Sequence, residues 1–244
     1  VKLNEFFDHI YCVNLDRRTD RWDFVSNQFD RLGITVERIS ATDGNVCHFD
    51  QIPTVDHTKK RWFDLTDTAM TSNEAAILMT HVRILWDAAA KGYKNILIFE
   101  DDVVIRDDYE EEFDKAISEL PEDWDLFYLG TLDMNKPWSP NEPFSNYLEV
   151  ARDRIGGHAM AINSKAILNF IEMVNLKVML PFDIIYSKRQ NDFNSFEMRN
   201  NIAHQYGWND SEKGKKPIEG IGVSDINDPV VFAKYLEDKY GKRE

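Results

Sequence analysis

The chain has 244 residues, of which 43% are hydrophobic and 12% aromatic, which excludes a disordered segment and leaves room for a sizeable core. A formal net charge of -14 argues against a nucleic-acid partner, because phosphate backbones are held by clustered Lys and Arg, but a small anionic ligand met by a few local cations or a metal stays open. The two cysteines, Cys12 and Cys47, exclude a disulfide-dense scaffold and a CxxC zinc site and leave the compartment open.

In chain order, HIYCVNLDRR reads as a buried strand from Ile10 to Leu15 that runs into a polar turn. In TDRWDFVSNQFDRLG the spacing of Trp22, Val25, Phe29 and Leu32 predicts a helix, with Thr19 or Asp20 as cap and Gly33 as stop. ITVERIS alternates like a second strand and ends in the turn signal ATDG. Strand, helix, strand is a βαβ start and implies a parallel sheet. Residues 46–70 are polar and irregular and predict a long loop. TSNEAAILMTHVRILWDAAAKG carries a capping-box pattern in Thr71 and Glu74 and an apolar stripe of Leu78, Val82, Leu85, Trp86 and Ala89. Gly92 is its stop.

The strand NILIFE follows, then an acidic helix over 108–120, then a strand in WDLFYLG. NKPWSPNEPF, with three prolines, predicts a loop. GGHAMAIN reads as a strand opened by paired glycines, and SKAILNFIEMVN as a helix. After LPFDIIYSKR the periodicity fades and no element is assigned. There is no internal repeat, low-complexity tract or composition break, so residues 1–244 read as a single α/β domain. A mostly parallel, Rossmann-like central sheet flanked by helices is expected. No apolar run approaches the roughly 18–20 residues that span a bilayer, so no transmembrane segment is expected. The start, VKLNEFF, has no signal-peptide character.

The chemistry concentrates in NILIFEDDVV. Ligands of open parallel α/β sheets sit beyond the carboxyl ends of the strands, where Glu100, Asp101 and Asp102 fall. Side chains of a strand alternate, so Glu100 and Asp102 share one side and Asp101 points to the other. An E-x-D pair on one face suits a hard divalent cation that gains further oxygens from a phosphate ligand. A solvated acidic turn is the alternative. G-x-G-x-x-G after a strand, the P-loop, HExxH and G-x-S-x-G are all absent.

At these residues the chain resembles glycosyltransferase family 25, which includes lipopolysaccharide-synthesis transferases and procollagen galactosyltransferases. IYCVNLDRRTDRW, ATDG, SNEAAILMTHVRILW, ILIFEDDV, GGHAMAINSKA and PFDIIY carry the resemblance, and HQYGWNDSE continues it more loosely. It implies a GT-A fold, a UDP-sugar donor, Mn²⁺ or Mg²⁺, and a hexose passed with inversion to a hydroxyl acceptor. That acceptor would be a glycan, a lipid-linked sugar or a hydroxylysine-bearing, collagen-like protein. The chain departs from the family in having Asn73-Glu74 and Thr80-His81 where Gly-Glu and Ser-His are usual, and in the loop at 46–70.

The resemblance and the strand-end position together give roles. Asp102 is the first candidate metal ligand, Glu100 the second, and His204 a third, with a structural histidine as its alternative. Asp101 reaches the ribose or a backbone amide. Arg17, Arg18 and Arg21 follow the first strand and are candidates for the diphosphate, or else an exposed first helical turn. Asn14 and Leu15 shape the nucleotide pocket. Asp43 holds the uridine or is a plain turn aspartate. Gly156 and Gly157 allow close approach of the donor sugar or make a tight turn. Asp183 is the candidate base for the acceptor hydroxyl, or a helix-capping aspartate after proline. His81 packs at its helix edge. Trp138, Phe144 and Trp208 stack on acceptor sugars or cover the core. The sequon at Asn209 is discounted as a chance match.

Two other readings remain. A non-catalytic UDP-sugar or glycan-binding module would be expected to lose the EDD carboxylates, which are present. A sugar nucleotidyltransferase would need a glycine-rich loop after the first strand, where NLDRRTD has arginines but no glycine.

Overall fold

The computed structural model describes residues 2–47, 72–131, 142–175 and 181–206. Most of the loop expected at 46–70, together with Thr71, Trp138, Trp208 and Asn209, lies outside the described residues.

A short helix α1 (Leu3–Phe6) leads into β1 (His9–Asn14), whose residues from Ile10 onward are buried. α2 (Thr19–Leu32) ends at Gly33, whose φ of 65° is a left-handed conformation that a Cβ disfavours. Its start differs from the sequence expectation. Arg18 is the N-cap, without a side-chain capping bond, and Thr19 and Asp20 lie in the first turn. β2 (Glu37–Ser40) follows, and the next described element is α3 (Ser72–Lys91), closed by Gly92 at φ 71°.

α3 buries Leu78, His81, Ile84, Leu85 and Ala88, while Trp86 is 53% exposed. Trp86 lies about 100° around the helix from Leu85, which takes it out of the stripe in which the sequence places it.

β3 (Asn95–Glu100) and the short β4 (Val103–Ile105) flank the acidic turn, and α4 (Tyr109–Glu119) follows. Then come β5 (Leu126–Tyr128), β6 (Glu142–Pro143), β7 (Leu148–Val150), β8 (Ala159–Asn163) and α5 (Ser164–Asn175). α6 (Phe182–Arg189), β9 (Ser195–Met198) and β10 (Ala203–Gln205) complete the described elements.

The main sheet has the order β2-β1-β3-β8-β5-β9-β7-β6, and β4 pairs with β10 in a separate antiparallel ribbon. β1 is parallel to β2 and β3, and β5 to β9, while β8 runs antiparallel between β3 and β5. The carboxyl ends of β1, β2, β3, β5 and β9 therefore share one edge. Alternation along the strands feeds two cores. Cys12, Leu97, Phe99, Phe127 and Ala161 face α1, α2 and α4 with Val25, Phe29 and Phe113. Tyr11, Ile96, Ile98, Tyr128 and Met160 face α3, α5 and α6 with Leu85, Phe170 and Ile185. A strand covered on both faces is apolar throughout, as NILIF is. Each such side chain contributes about 1.5–3 kcal/mol by burial.

Candidate active site

The two central parallel strands bring the candidates together. β3 ends at Glu100, in register with Val13 of β1, and Asn14 follows as the last residue of β1. The chain then turns through Asp101 and Asp102 into β4. The β4–β10 ribbon pins this turn, because Tyr206 N donates to Asp102 O at 2.6 Å and Gln205 Nε2 to Asp102 Oδ2 at 3.2 Å.

Asp101 and Asp102 are 7% and 8% exposed, so the turn is not a solvated acidic one. Asp101 leans towards β1 and α2. Its Oδ2 accepts from Asn14 Nδ2 at 2.7 Å and its Oδ1 from Arg21 Nη1 at 2.8 Å, and the same nitrogen lies 3.8 Å from Asp102 Oδ2. Asn14 Oδ1 in turn accepts from Arg38 Nε and Nη2 at 3.0 and 2.7 Å. Asp102 Oδ1 is buried and, among the described residues, accepts no hydrogen bond.

Burial pushes the Asp102 carboxyl up to about 6 against the pull of the Arg21 guanidinium. Glu100 is pushed well above the ordinary carboxylate range by burial, then by Asp102, Asp101 and Asp183. Asp183, in the first turn of α6, is raised by burial, with Glu74 adding like charge, and its Oδ1 accepts from Ile184 N at 2.9 Å. Glu100 and Asp102 are thus carboxylates with negative charge in excess and an oxygen left over. Two carboxylates with an orphaned buried oxygen fit a hard divalent cation that completes its shell from water and a phosphate ligand. Among the described residues no group of three or more His, Cys, Asp and Glu is placed to hold a metal.

The remaining candidates sit around this turn in different ways. Gly156 has φ 115°, and a Cβ on Gly157 would lie 3.5 Å from Glu100 Oε1, so the paired glycines do approach the site. Leu15 closes the turn after β1 by accepting from Arg18 N at 2.8 Å. Arg18 pairs with Asp20. Arg17 donates to Asp43 Oδ2 at 2.7 Å, and Asn45 N to Asp43 Oδ1 at 2.9 Å, so both Asp43 oxygens are engaged inside the ATDG turn. His204 stands opposite Val104 in the ribbon, and its neighbour Gln205 is bonded to Asp102. Phe144 is 47% exposed and meets Phe196 at 4.8 Å between ring centroids.

Several participants give no sequence signal. Arg38 reads as one polar position of an alternating strand, and Gln205 as a polar residue near the faded end. Thr80 accepts from Thr42 N at 2.9 Å and so fastens the ATDG segment to α3. His81 is more deeply placed than a helix-edge residue. It is 1% exposed, stacked on Phe182 at 3.8 Å, with no hydrogen bond to either ring nitrogen, and burial pulls it down to about 3.

A mostly co-directional sheet with helices on both faces, whose central strand delivers a buried E-D-D turn at the shared carboxyl edge, is the architecture of a GT-A type glycosyltransferase fold. The chain belongs to glycosyltransferase family 25, since the model of that family, described as glycosyltransferase family 25 (LPS biosynthesis protein), matches residues 7–156. It is 26% identical over 216 residues to a glycosyltransferase 25 family member of Aedes aegypti, covering 80% of this chain and 34% of that protein. It is 25% identical over 134 residues to the human inactive glycosyltransferase 25 family member 3, covering 53% of this chain and 22% of that protein. To human procollagen galactosyltransferase 2 it is 23% identical over 129 residues, covering 51% and 21%. The chain therefore spans about a third of the first of these relatives and about a fifth of the other two. Among the described residues no helix is long and apolar enough to cross a membrane.

Proposed function

We propose that the chain is a metal-dependent, inverting hexosyltransferase that takes its sugar from a UDP-sugar. The acceptor is a hydroxyl on a glycan, a lipid-linked sugar or a hydroxylysine-bearing protein. The observation that carries the reading is the pair Glu100 and Asp102 at the carboxyl edge of β3, with Asp102 Oδ1 buried and, among the described residues, without a hydrogen-bond partner. These two side chains would hold Mn²⁺ or Mg²⁺. Such an ion supplies Lewis-acid electrostatics, neutralising charge that develops on the departing diphosphate. Gly157 brings the backbone close to Glu100, where the donor would sit. Asp183 is kept on the basic side of an ordinary aspartate by burial and takes the proton of the acceptor hydroxyl.

The test is a thermal melt with UDP, with and without Mn²⁺, followed by a panel of UDP-sugars. Ligand near a hundred times its Kd adds roughly 2.7 kcal/mol to stability. For a chain of this size that is a rise of about 5–10 °C. The rise with UDP should need the metal and should vanish in Asp102→Asn, and a full UDP rise in EDTA would defeat the metal role. A second reading, a non-catalytic UDP-sugar-binding module, is favoured by the similarity to an inactive human relative. That module would give the same melt but no transfer and no UDP release with any donor.

A further inference from the structure

Asp101 stands at the centre of a chain of directional contacts that neither the metal nor the donor requires. Arg38 can only donate, so its two bonds at 3.0 and 2.7 Å fix which side of the Asn14 amide is oxygen. Arg38 is itself held by Asp16 Oδ1 at 2.8 Å and lies over the Trp22 ring at 5.3 Å. The Asn14 NH₂ must then face away from Arg38, and it donates to Asp101 Oδ2 at 2.7 Å. Arg21 completes the set on Asp101 Oδ1 at 2.8 Å and reaches on to Asp102 at 3.8 Å. In this way β2, β1, α2 and the end of β3 are linked through one carboxylate that is 7% exposed.

The charges point the same way. Arg38 is matched by Asp16. Among the described residues, Arg21 at the turn pairs closely with Asp101 at 2.8 Å and only distantly with Asp102 at 3.8 Å, so Glu100 and Asp102 are left as the carboxylates in excess, with Asp183 adding like charge at Glu100. A divalent cation would meet that excess at Glu100 and Asp102, away from the Asp101–Arg21 pair.

We propose that Asp101 is a positioning residue and neither a metal ligand nor a ribose contact: with Asn14 and Arg21 it forms a buried clamp that fixes the turn presenting Asp102. The inference rests on the metal reading above and goes beyond it in assigning the middle carboxylate and its two partners. Removing a partner that orients a ligand lowers metal affinity by roughly 10–100-fold without abolishing binding.

The experiment is a Mn²⁺ titration of the full chain by calorimetry and by loss of the free-ion EPR signal. It uses wild type, Asp101→Asn, Asn14→Leu and, as a ligand control, Asp102→Asn. Asp101→Asn and Asn14→Leu should keep the wild-type stoichiometry with affinity weakened in the 10–100-fold range, while Asp102→Asn binds no Mn²⁺. Asn14→Leu keeps all three carboxylates, so it stands in if Asp101→Asn fails to fold, and only a positioning role moves its affinity. Asp101→Asn binding as tightly as wild type, or losing Mn²⁺ as completely as Asp102→Asn, overturns the proposal while the metal reading stands. Wild type that binds no Mn²⁺ overturns both.

Discussion

Gly157 lies against the ring of Phe182 so closely that a Cβ built on it would come within 2.2 Å of Cζ and 2.4 Å of Cε2. This contact joins the segment entering β8 to the first turn of α6 and brings Glu100 and Asp183 to one place. The ring has little freedom to retreat, because its other face is stacked on His81 at 3.8 Å and 16°.

Gly157→Ala should therefore act on both stability and site. Overpacking of this kind costs about 1–3 kcal/mol. That is a fall in Tm of roughly 3–10 °C for a chain of this length. Because Phe182 precedes Asp183, kcat should fall along with the affinity for the UDP-sugar. Calorimetric melting and initial rates on the variant check this, and an unchanged Tm would mean that the ring moves freely.

Asp102 gives a pH signature in metal-free protein. Its carboxyl titrates at about 6 in the folded state against an ordinary 3.8, so the folded chain keeps a proton that the unfolded chain has released. That contribution to stability is complete below 3.8 and is lost as pH rises through about 6. His81 and His158, held neutral by burial at about 3 and about 4, act in the opposite direction over the same range, so Asp102 must be read as a difference. Asp102→Asn should melt higher than wild type above about pH 6, by up to roughly 3 kcal/mol, with the gap closing towards pH 4. Saturating Mn²⁺ should reverse the order near neutrality, since protons and metal compete for the same oxygens. Melts of both proteins across this range, with EDTA and with Mn²⁺, decide it.

How much of this is legible in the sequence depends on range. NILIF and the three carboxylates after it can be read because strand, turn and charge are contiguous, and SKAILNFIEMVN matches α5 residue for residue. The clamp cannot be read. Asn14 and Arg21 are 87 and 80 residues from Asp101, and Gln205 is 103 from Asp102. Three-residue strands such as β4, β7 and β10 are too short to show a period. β9, SFEM, hides behind a buried glutamate whose partner lies elsewhere in the chain. At β10 the sequence singles out His204 for its chemistry and gives no sign of Gln205, whose bond to Asp102 is set by the ribbon's register with β4.

That buried glutamate supports the site from the other side. Glu197 pairs with Arg154, which is 3% exposed, and its Oε2 accepts from Thr131 Oγ1 at 2.6 Å. Arg154 is also gripped through its backbone by Gln190, at 2.7 Å through its N and 2.9 Å through its O. Glu197→Ala would take a charge partner from a buried guanidinium and should cost about 3–5 kcal/mol. The double change Arg154→Met with Glu197→Leu removes both charges and should recover most of that loss. Denaturant titrations of the single and double variants test this. A double variant no more stable than the single one would show that the pair holds the Gly156–Gly157 segment by more than charge.

Asp183 provides the sharpest separation of chemistry from binding. It lies in the first turn of α6, its carboxyl raised by burial and by the like charge of Glu74. A base has to be ionised to act, so kcat/KM should rise with pH through this raised value and then level off. Asp183→Asn keeps the shape and removes the proton acceptor. Loss of a positioned general base lowers the rate by about 10²–10⁴-fold, and the acid limb of the profile should vanish with it. The Mn²⁺-dependent melt with UDP should be retained, because the proposed role sets Asp183 on the acceptor side. A rate within tenfold of wild type would move the base elsewhere, and a lost UDP response would place Asp183 in the donor site.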